Sequence, residues 1–266
     1  MQLEKQRIVL TGAASGIGLA LLERLAACST QVVAVDLDAE GLERALADLA
    51  GSPAKLFPYA CDLGNPEQVE AVFASALENM DGIDLFIANA GFPYYEKLNQ
   101  ADWGHIEKIF QVNVFSPIYA ALKMKQLNAG RIYRVVITAS AMGLLGIPGY
   151  ALYSSTKATL ERFAECYRYE LEDPAALTLV YPIGTRTHFF QAAAKQAAPL
   201  TWPTQSAEKV ANAILKGIER DSPNIYPSLL FRVFIIMDRY LPFLRRIEQW
   251  IEMKRFERWM ARQSAN

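Results

Sequence analysis

Two histidines and three cysteines in 266 residues leave little material for a metal centre. Cys28, Cys61 and Cys166 are odd in number and far apart, which excludes a disulfide framework and a zinc-type ligand pattern. They read as buried structural thiols in a reducing, intracellular setting. His105 falls on a helical stretch and His188 in a loop, so neither a metal site nor a Ser-His-Asp triad is expected, and His188 is at most a substrate contact. A surplus of one charge is also missing: the formal net charge is −1, which gives no reason to expect nucleic-acid binding. No uninterrupted run of about 18 apolar residues occurs, so a transmembrane helix is not predicted. The apolar run at 8–10 enters a glycine-rich turn at once and is too short for a signal peptide. A cytoplasmic location is expected. Hydrophobic residues make up 52% of the chain, enough for a sizeable core and too many for global disorder.

Short β-like runs alternate with helical stretches. Residues 7–10, 31–35, 56–60, 85–87, 132–138 and 177–181 predict strands. Residues 17–27, 66–79, 103–127, 154–171 and 207–219 predict helices. This alternation predicts an α/β fold, a doubly wound parallel sheet of the Rossmann kind with helices on both faces. Residues 182–203 lack periodicity and read as a loop or lid.

Thr11-Gly-Ala-Ala-Ser-Gly-Ile-Gly18 directly follows the first strand and opens a helix. Gly12, Gly16 and Gly18 permit a tight turn and the close approach of a pyrophosphate, which the N–H groups and dipole of the helix start stabilise. Asp36 closes the second strand 20 residues after Gly16. A carboxylate there accepts both ribose hydroxyls and repels a 2′-phosphate. Neither Ser15 nor Leu37 supplies a counter-charge. NAD is therefore expected over NADP, although a carboxylate does not by itself rule NADP out. The plain alternative for Asp36 is a solvated turn or cap.

The spacing Gly-x-x-x-Gly-x-Gly differs from the commoner Gly-x-Gly-x-x-Gly and is similar to that of the short-chain dehydrogenase/reductase family. The resemblance continues in Asp62-Leu63 after Cys61, in Asn89-Ala90-Gly91, and in Asn113, Ser140, Tyr153 and Lys157, in family order between residues 7 and 227. It implies an oxidoreductase moving hydride between a nicotinamide cofactor and an alcohol or ketone. Thr11, Gly12, Ser15, Gly16, Ile17, Gly18, Asp62, Leu63, Asn89, Ala90 and Gly91 are then cofactor contacts, with Asp62 near the adenine. Pro182-Ile-Gly-Thr-Arg-Thr187 is similar to the family's Pro-Gly-x-x-x-Thr segment, with Ile183 where glycine is usual. It implies Pro182, Thr185 and Thr187 beside the nicotinamide. Asn113 is implied to hold a water that relays protons to Lys157; the alternative is a buried amide pinning a helix bend. A homodimer or homotetramer is expected.

Tyr153 and Lys157 stand four apart, on one face of a helix. A free phenol titrates near ~10, too high for a good base at neutral pH. A nearby ammonium, helped by a positive nicotinamide, lowers that value. Tyr153 then takes the alcohol proton as hydride leaves, or returns it in reduction. Ser140, 13 residues earlier at the end of the fifth strand, can hydrogen-bond the substrate oxygen and orient it. Tyr150 competes for the base role but lies seven from Lys157, so it is expected to line the substrate pocket instead. The competing class is a catalytically idle binding or scaffold protein, and the intact Ser140, Tyr153 and Lys157 argue against it.

Residues 228–266 carry eight Lys/Arg against four Asp/Glu, interleaved with Phe231, Phe234, Tyr240, Phe243, Trp250, Phe256 and Trp259. Tyr240, Leu244, Ile247 and Ile251 make an amphipathic stripe, and Pro242 breaks or starts a helix. One reading is a helix that caps the cleft or joins a dimer. The other is a peripheral membrane contact through 228–262, with Asp238, Glu248, Glu252 and Glu257 weighing against strong lipid attraction. The chain thus divides into a dinucleotide-binding and catalytic domain, 1–227, and a C-terminal helical extension, 228–266. Phe189, Phe190, Leu200 and Trp202 in the loop, with this tail, favour a bulky hydrophobic alcohol or carbonyl substrate.

Overall fold

Strands buried from end to end need cover on both faces, and the sheet is built from such strands. The computed structural model describes residues 1–187, 189, 198–199 and 203–264. His188, Phe190, Leu200 and Trp202 lie outside the described residues. The strands are β1 (Arg7–Thr11), β2 (Gln31–Asp36), β3 (Lys55–Ala60), β4 (Leu85–Ala88), β5 (Arg134–Thr138), β6 (Leu177–Val180) and β7 (Asn224–Ile225). They form one sheet in the order β3-β2-β1-β4-β5-β6-β7, each neighbouring pair parallel. Pro58 sits in β3, where an edge strand tolerates a missing N–H.

The helices are α1 (Gly16–Ala26), α2 (Ala39–Asp48), α3 (Pro66–Met80), α4 (Trp103–Phe110), α5 (Ser116–Leu127), α6 (Ala141–Leu144), α7 (Ala151–Tyr167), α8 (Ala207–Glu219), α9 (Leu229–Tyr240) and α10 (Phe243–Ser264). Strand alternation divides the core in two. Ile8, Leu10, Leu85 and Ile87 face α1 and α8, while Val9, Phe86, Val135 and Ile137 face α3, α5 and α7. Polar side chains set several helix starts: Asp38 accepts from Gly41 N–H at 3.0 Å and Asn65 from Gln68 N–H at 3.0 Å, with Pro66 opening α3.

The structure departs from the sequence reading in places. α2 and the two-residue β7 join the predicted elements, and β5 starts at Arg134 because Ile132 stands exposed. The helical stretch 103–127 is broken by a π-helical turn, Gln111–Phe115. Only Cys61 is a buried thiol; Cys28 is half-buried and Cys166 exposed. Pro242 separates α9 from α10 as a helix breaker should. The tail folds back on the sheet domain: Phe231 joins the core beneath β5 and β6, and Phe256 packs with Tyr95 and Tyr150.

Candidate active site

Parallel strands deliver their carboxyl ends to one edge of the sheet. A crevice opens where chain order reverses, here between β1 and β4. Thr11, 2% exposed, staples this point: its Oγ1 accepts from the N–H groups of Asn89 and Ala90, each at 3.0 Å. The Asn89 amide donates to Thr11 O at 3.2 Å, and Thr138 Oγ1 donates to Asn89 Oδ1 at 3.3 Å, so the ends of β1, β4 and β5 are tied together.

Gly16 has φ +56, and a Cβ there would press on Thr187 at 3.0 Å. A Cβ on Gly18 would stand 1.7 Å from Gly12 O, so only glycine lets α1 seat against the turn. The Ser15 hydroxyl makes no cap bond to α1. The helix start faces the crevice with its N–H groups uncovered by side chains, the arrangement that holds an anionic group. Asp36 Oδ2 accepts from Ala14 N–H at 2.8 Å and Oδ1 from Asp38 N–H at 3.1 Å, which fixes the carboxylate beside the turn. Asp62 is held likewise by Gly64 N–H at 2.8 Å.

Gly12, Ser15, Gly16, Ile17, Asp36, Asp62, Leu63, Asn89, Ala90, Gly91, Ser140, Tyr153, Lys157, Pro182, Thr185 and Thr187 all line one cavity of about 1080 Å³. Thr11, Gly18 and Asn113 do not line it; they stand behind its wall. Asn113 is 1% exposed in the π-helical turn. Its Oδ1 accepts from Phe92 N–H at 3.0 Å, and its Nδ2 donates to Phe92 O at 2.9 Å and Thr156 Oγ1 at 3.2 Å. The side-chain amide is therefore committed to pinning the bend. Thr185 Oγ1 donates to Ile183 O at 2.9 Å, so that hydroxyl and that carbonyl are engaged with each other.

At the inner end of the cavity the Tyr153 phenol neighbours the Ser140 hydroxyl, whose Oγ accepts from Met142 N–H at 3.1 Å. Lys157 is 3% exposed, its Nζ donating to Thr138 O at 2.8 Å and standing 5.6 Å from the Tyr153 ring centre. Burial pushes the Tyr153 phenol above its ordinary value, and the Ser140 hydroxyl works against that rise. Burial lowers Lys157 to about 7. Without a bound cofactor, desolvation thus outweighs the depression of Tyr153 that the lysine spacing suggested. Tyr150 does not line the cavity; it is 1% exposed and packs between Tyr95 and Tyr153. His105 is also away from the cavity wall, paired with Glu96 at 2.6 Å and stacked on Tyr94.

Several lining residues went unrecognised in the sequence. Phe92 and Tyr94 follow Asn89-Ala90-Gly91 directly, and Met142 and Leu145 follow Ser140, so proximity to the motifs was their available signal. The tail adds Leu230, Phe234, Leu244, Ile247 and Ile251, together with Glu248, Glu252 and Arg255. Arg255 donates to Glu252 at 2.7 Å, and burial raises both carboxyl groups above their ordinary range. Tyr240, placed in the same stripe by spacing, ends α9 and is exposed.

The sequence profile described as short chain dehydrogenase matches residues 6–198. The chain belongs to the short chain dehydrogenase family. As in that family, it is an oxidoreductase acting on hydroxyl or carbonyl groups. Its relatives include 1-deoxy-11-beta-hydroxypentalenate dehydrogenase of Streptomyces exfoliatus, 29% identical over 226 residues, 83% of this chain and 82% of that protein. Estradiol 17-beta-dehydrogenase 11 of Macaca fascicularis is 26% identical over 260 residues, 93% of this chain and 83% of the relative. Among solved structures, a short chain dehydrogenase/reductase from Burkholderia phymatum in complex with NAD matches with a TM-score of 0.80 at 22% identity, over 91% of this chain and 96% of that one. A short-chain dehydrogenase from Sphingobium yanoikuyae in complex with NADPH matches with a TM-score of 0.76 at 24% identity, over 89% and 94%. These structures share the fold of this family member.

Proposed function

We propose that this short chain dehydrogenase interconverts a bulky, apolar secondary alcohol and its ketone with NAD as the preferred cofactor. The observation that carries the reading is the convergence of Ser140, Tyr153 and the buried Lys157 on the wall of one cavity. The cofactor end fits a dinucleotide: an open glycine turn, a bare helix start, and the Asp36 carboxylate oriented beside the turn on the cavity wall, where a ribose partner belongs. A bound nicotinamide supplies the hydride acceptor in oxidation and the donor in reduction.

The side chains supply the rest. Ser140 holds the substrate oxygen, and Tyr153 exchanges a proton with it. Lys157 stabilises the phenolate whenever that proton is gone. Burial keeps the Tyr153 phenol protonated at neutral pH, which suits the reductive direction. Since both ends of the Asn113 side-chain amide are engaged, its part in a proton relay falls to its main-chain carbonyl, within the π-helical turn.

Apolar walls from α9 and α10 support a bulky substrate, as do the compounds named for the relatives, estradiol and a pentalenate. In the same reading, residues 1–227 hold cofactor and chemistry and 228–266 close the cavity. A homodimer or homotetramer located in the cytoplasm remains part of the proposal.

The test follows NADH and NADPH absorbance across a panel of apolar ketones and alcohols. Turnover is expected with bulky ketones and faster with NADH; a wild-type preference for NADPH would defeat the role of Asp36. Asp36→Ala is expected to relax the discrimination against NADPH by about 10–100-fold, since a like charge facing a phosphate costs several kcal/mol. Comparison of kcat/KM for both cofactors measures it.

A further inference from the structure

The tail helices are inside out. Of the 22 exposed large apolar side chains among the described residues, 12 fall between residues 229 and 253. Leu229, Ile236, Tyr240, Phe243, Ile247 and Trp250 are each more than half exposed. The acidic residues take the opposite course. Asp238 and Glu252 are buried, at 7% and 8% exposure, and Glu248 is half-buried against the cavity. A helix pair that must face water does the reverse, because burying carboxyl groups while leaving leucine, isoleucine and tryptophan outside is unfavourable on both counts.

The unpaired charges left on the outside are cationic, and the one exposed acid, Glu257, is paired with Lys254. Arg232, Arg239, Arg246, Arg258 and Arg262 are exposed, whereas the acids are engaged: Asp238 with Arg245 at 2.5 Å, Glu252 with Arg255 at 2.7 Å, Glu257 with Lys254 at 2.8 Å. The acidic residues that seemed in the sequence to weigh against a lipid contact are mostly turned inward, so the outer face is apolar and cationic.

We propose that the outer face of α9 and α10 docks on an anionic lipid surface. A second copy of the chain is the poorer occupant. A twofold contact would set one net-cationic face against another, with the carboxylates on the inner side unable to offset the repulsion. Anionic headgroups complement the arginines, and Tyr240 and Trp250 have the amphipathic rings that settle at a bilayer interface. No helix among the described residues is long and apolar enough to cross a membrane, so the contact is peripheral.

The face is also the mouth of the cavity. Leu230, Ile247 and Ile251 belong to the exposed patch and line the cavity as well. Docking therefore sets the opening against the acyl region, and an apolar substrate enters from lipid without crossing water. This delivery step rests on reading the cavity as a substrate site; the docking does not.

The test uses the full chain with no substrate or cofactor, co-sedimented with phosphatidylcholine vesicles with and without phosphatidylglycerol. Binding is expected only to the anionic vesicles and is expected to weaken with salt. Arg232→Gln and Arg239→Gln are each expected to weaken it about fivefold, the effect of one basic residue near a charged bilayer. Ile236→Glu with Trp250→Glu should lower binding by at least about tenfold, because apolar burial and charge both turn against it. Neither side chain lines the cavity, so turnover of a water-soluble ketone stays at the wild-type rate while that of a vesicle-borne ketone falls. Equal pelleting with and without phosphatidylglycerol overturns the proposal. So does a stable dimer that the double variant dissociates, with no vesicle binding, because the face would then belong to a second copy.

Discussion

Tyr153→Phe is expected to lower kcat by about 10²–10⁴-fold and to leave the dissociation constant for NADH within about twofold, the scale of removing a general acid/base without disturbing binding. The ring is 5% exposed and packs against Tyr150 at 6.3 Å and Phe189 at 5.9 Å, centre to centre. Phenylalanine keeps that packing and deletes one hydroxyl, so folding is preserved and the loss is chemical. The Ser140 hydroxyl loses its phenol neighbour but keeps Met142 N–H. Steady-state turnover with a fluorescence titration of NADH checks both halves. Retained turnover would remove Tyr153 from the reaction, and weakened NADH binding would make its role positional.

The parts of this site that were legible in the sequence are those whose geometry is local. The turn from Thr11 to Gly18 needs its glycines wherever the rest of the chain goes, because Gly18 must lie against Gly12 O and Gly16 must take a positive φ. The Tyr153–Lys157 spacing is likewise a property of one helix. The π-helical turn at Gln111–Phe115 is different. It is held by Asn113 bonding to Phe92 and Thr156, partners 21 and 43 residues away, and no window around 113 contains them.

The tail shows the same limit from the other side. Pro242 marks the break between α9 and α10 in the sequence, but the direction each helix faces does not follow from its own pattern. Leu244, Ile247 and Ile251 reach the cavity wall with Glu248 and Glu252, whereas Tyr240 is left outside on the preceding helix. The amphipathic stripe holds from Leu244 to Ile251 and fails only at Tyr240, across the Pro242 break. Tyr150 and Tyr153 show why burial must be seen: both are nearly inaccessible, yet Tyr153 lines the cavity and Tyr150 lies within the aromatic packing behind it.

Lys157→Met separates what this lysine does for the reaction from what it costs the fold. Turnover is expected to fall by about 10²–10⁴-fold, because the phenolate of Tyr153 loses its neighbouring cation. Stability of the cofactor-free protein is expected to rise. Lys157 is buried, and desolvation lowers it from its ordinary 10.5 to about 7. A folded-state value below the unfolded one means that the native protein binds fewer protons between those limits. Stability therefore rises with pH through that window and is lost as pH falls through about 7. Methionine fills nearly the same volume without a charge. It leaves Thr138 O without the lysine's hydrogen bond, which offsets part of the gain. The net is roughly 2 kcal/mol near neutral pH, a rise in Tm of about 4–8 °C for a chain of this size. Thermal unfolding of both proteins across the range from about pH 6 to 10 tests the sign as well as the size. The variant's advantage should be largest at the acid end and shrink as the wild-type lysine loses its proton. An advantage that stays constant with pH would mean that Lys157 is solvated well enough to keep its charge.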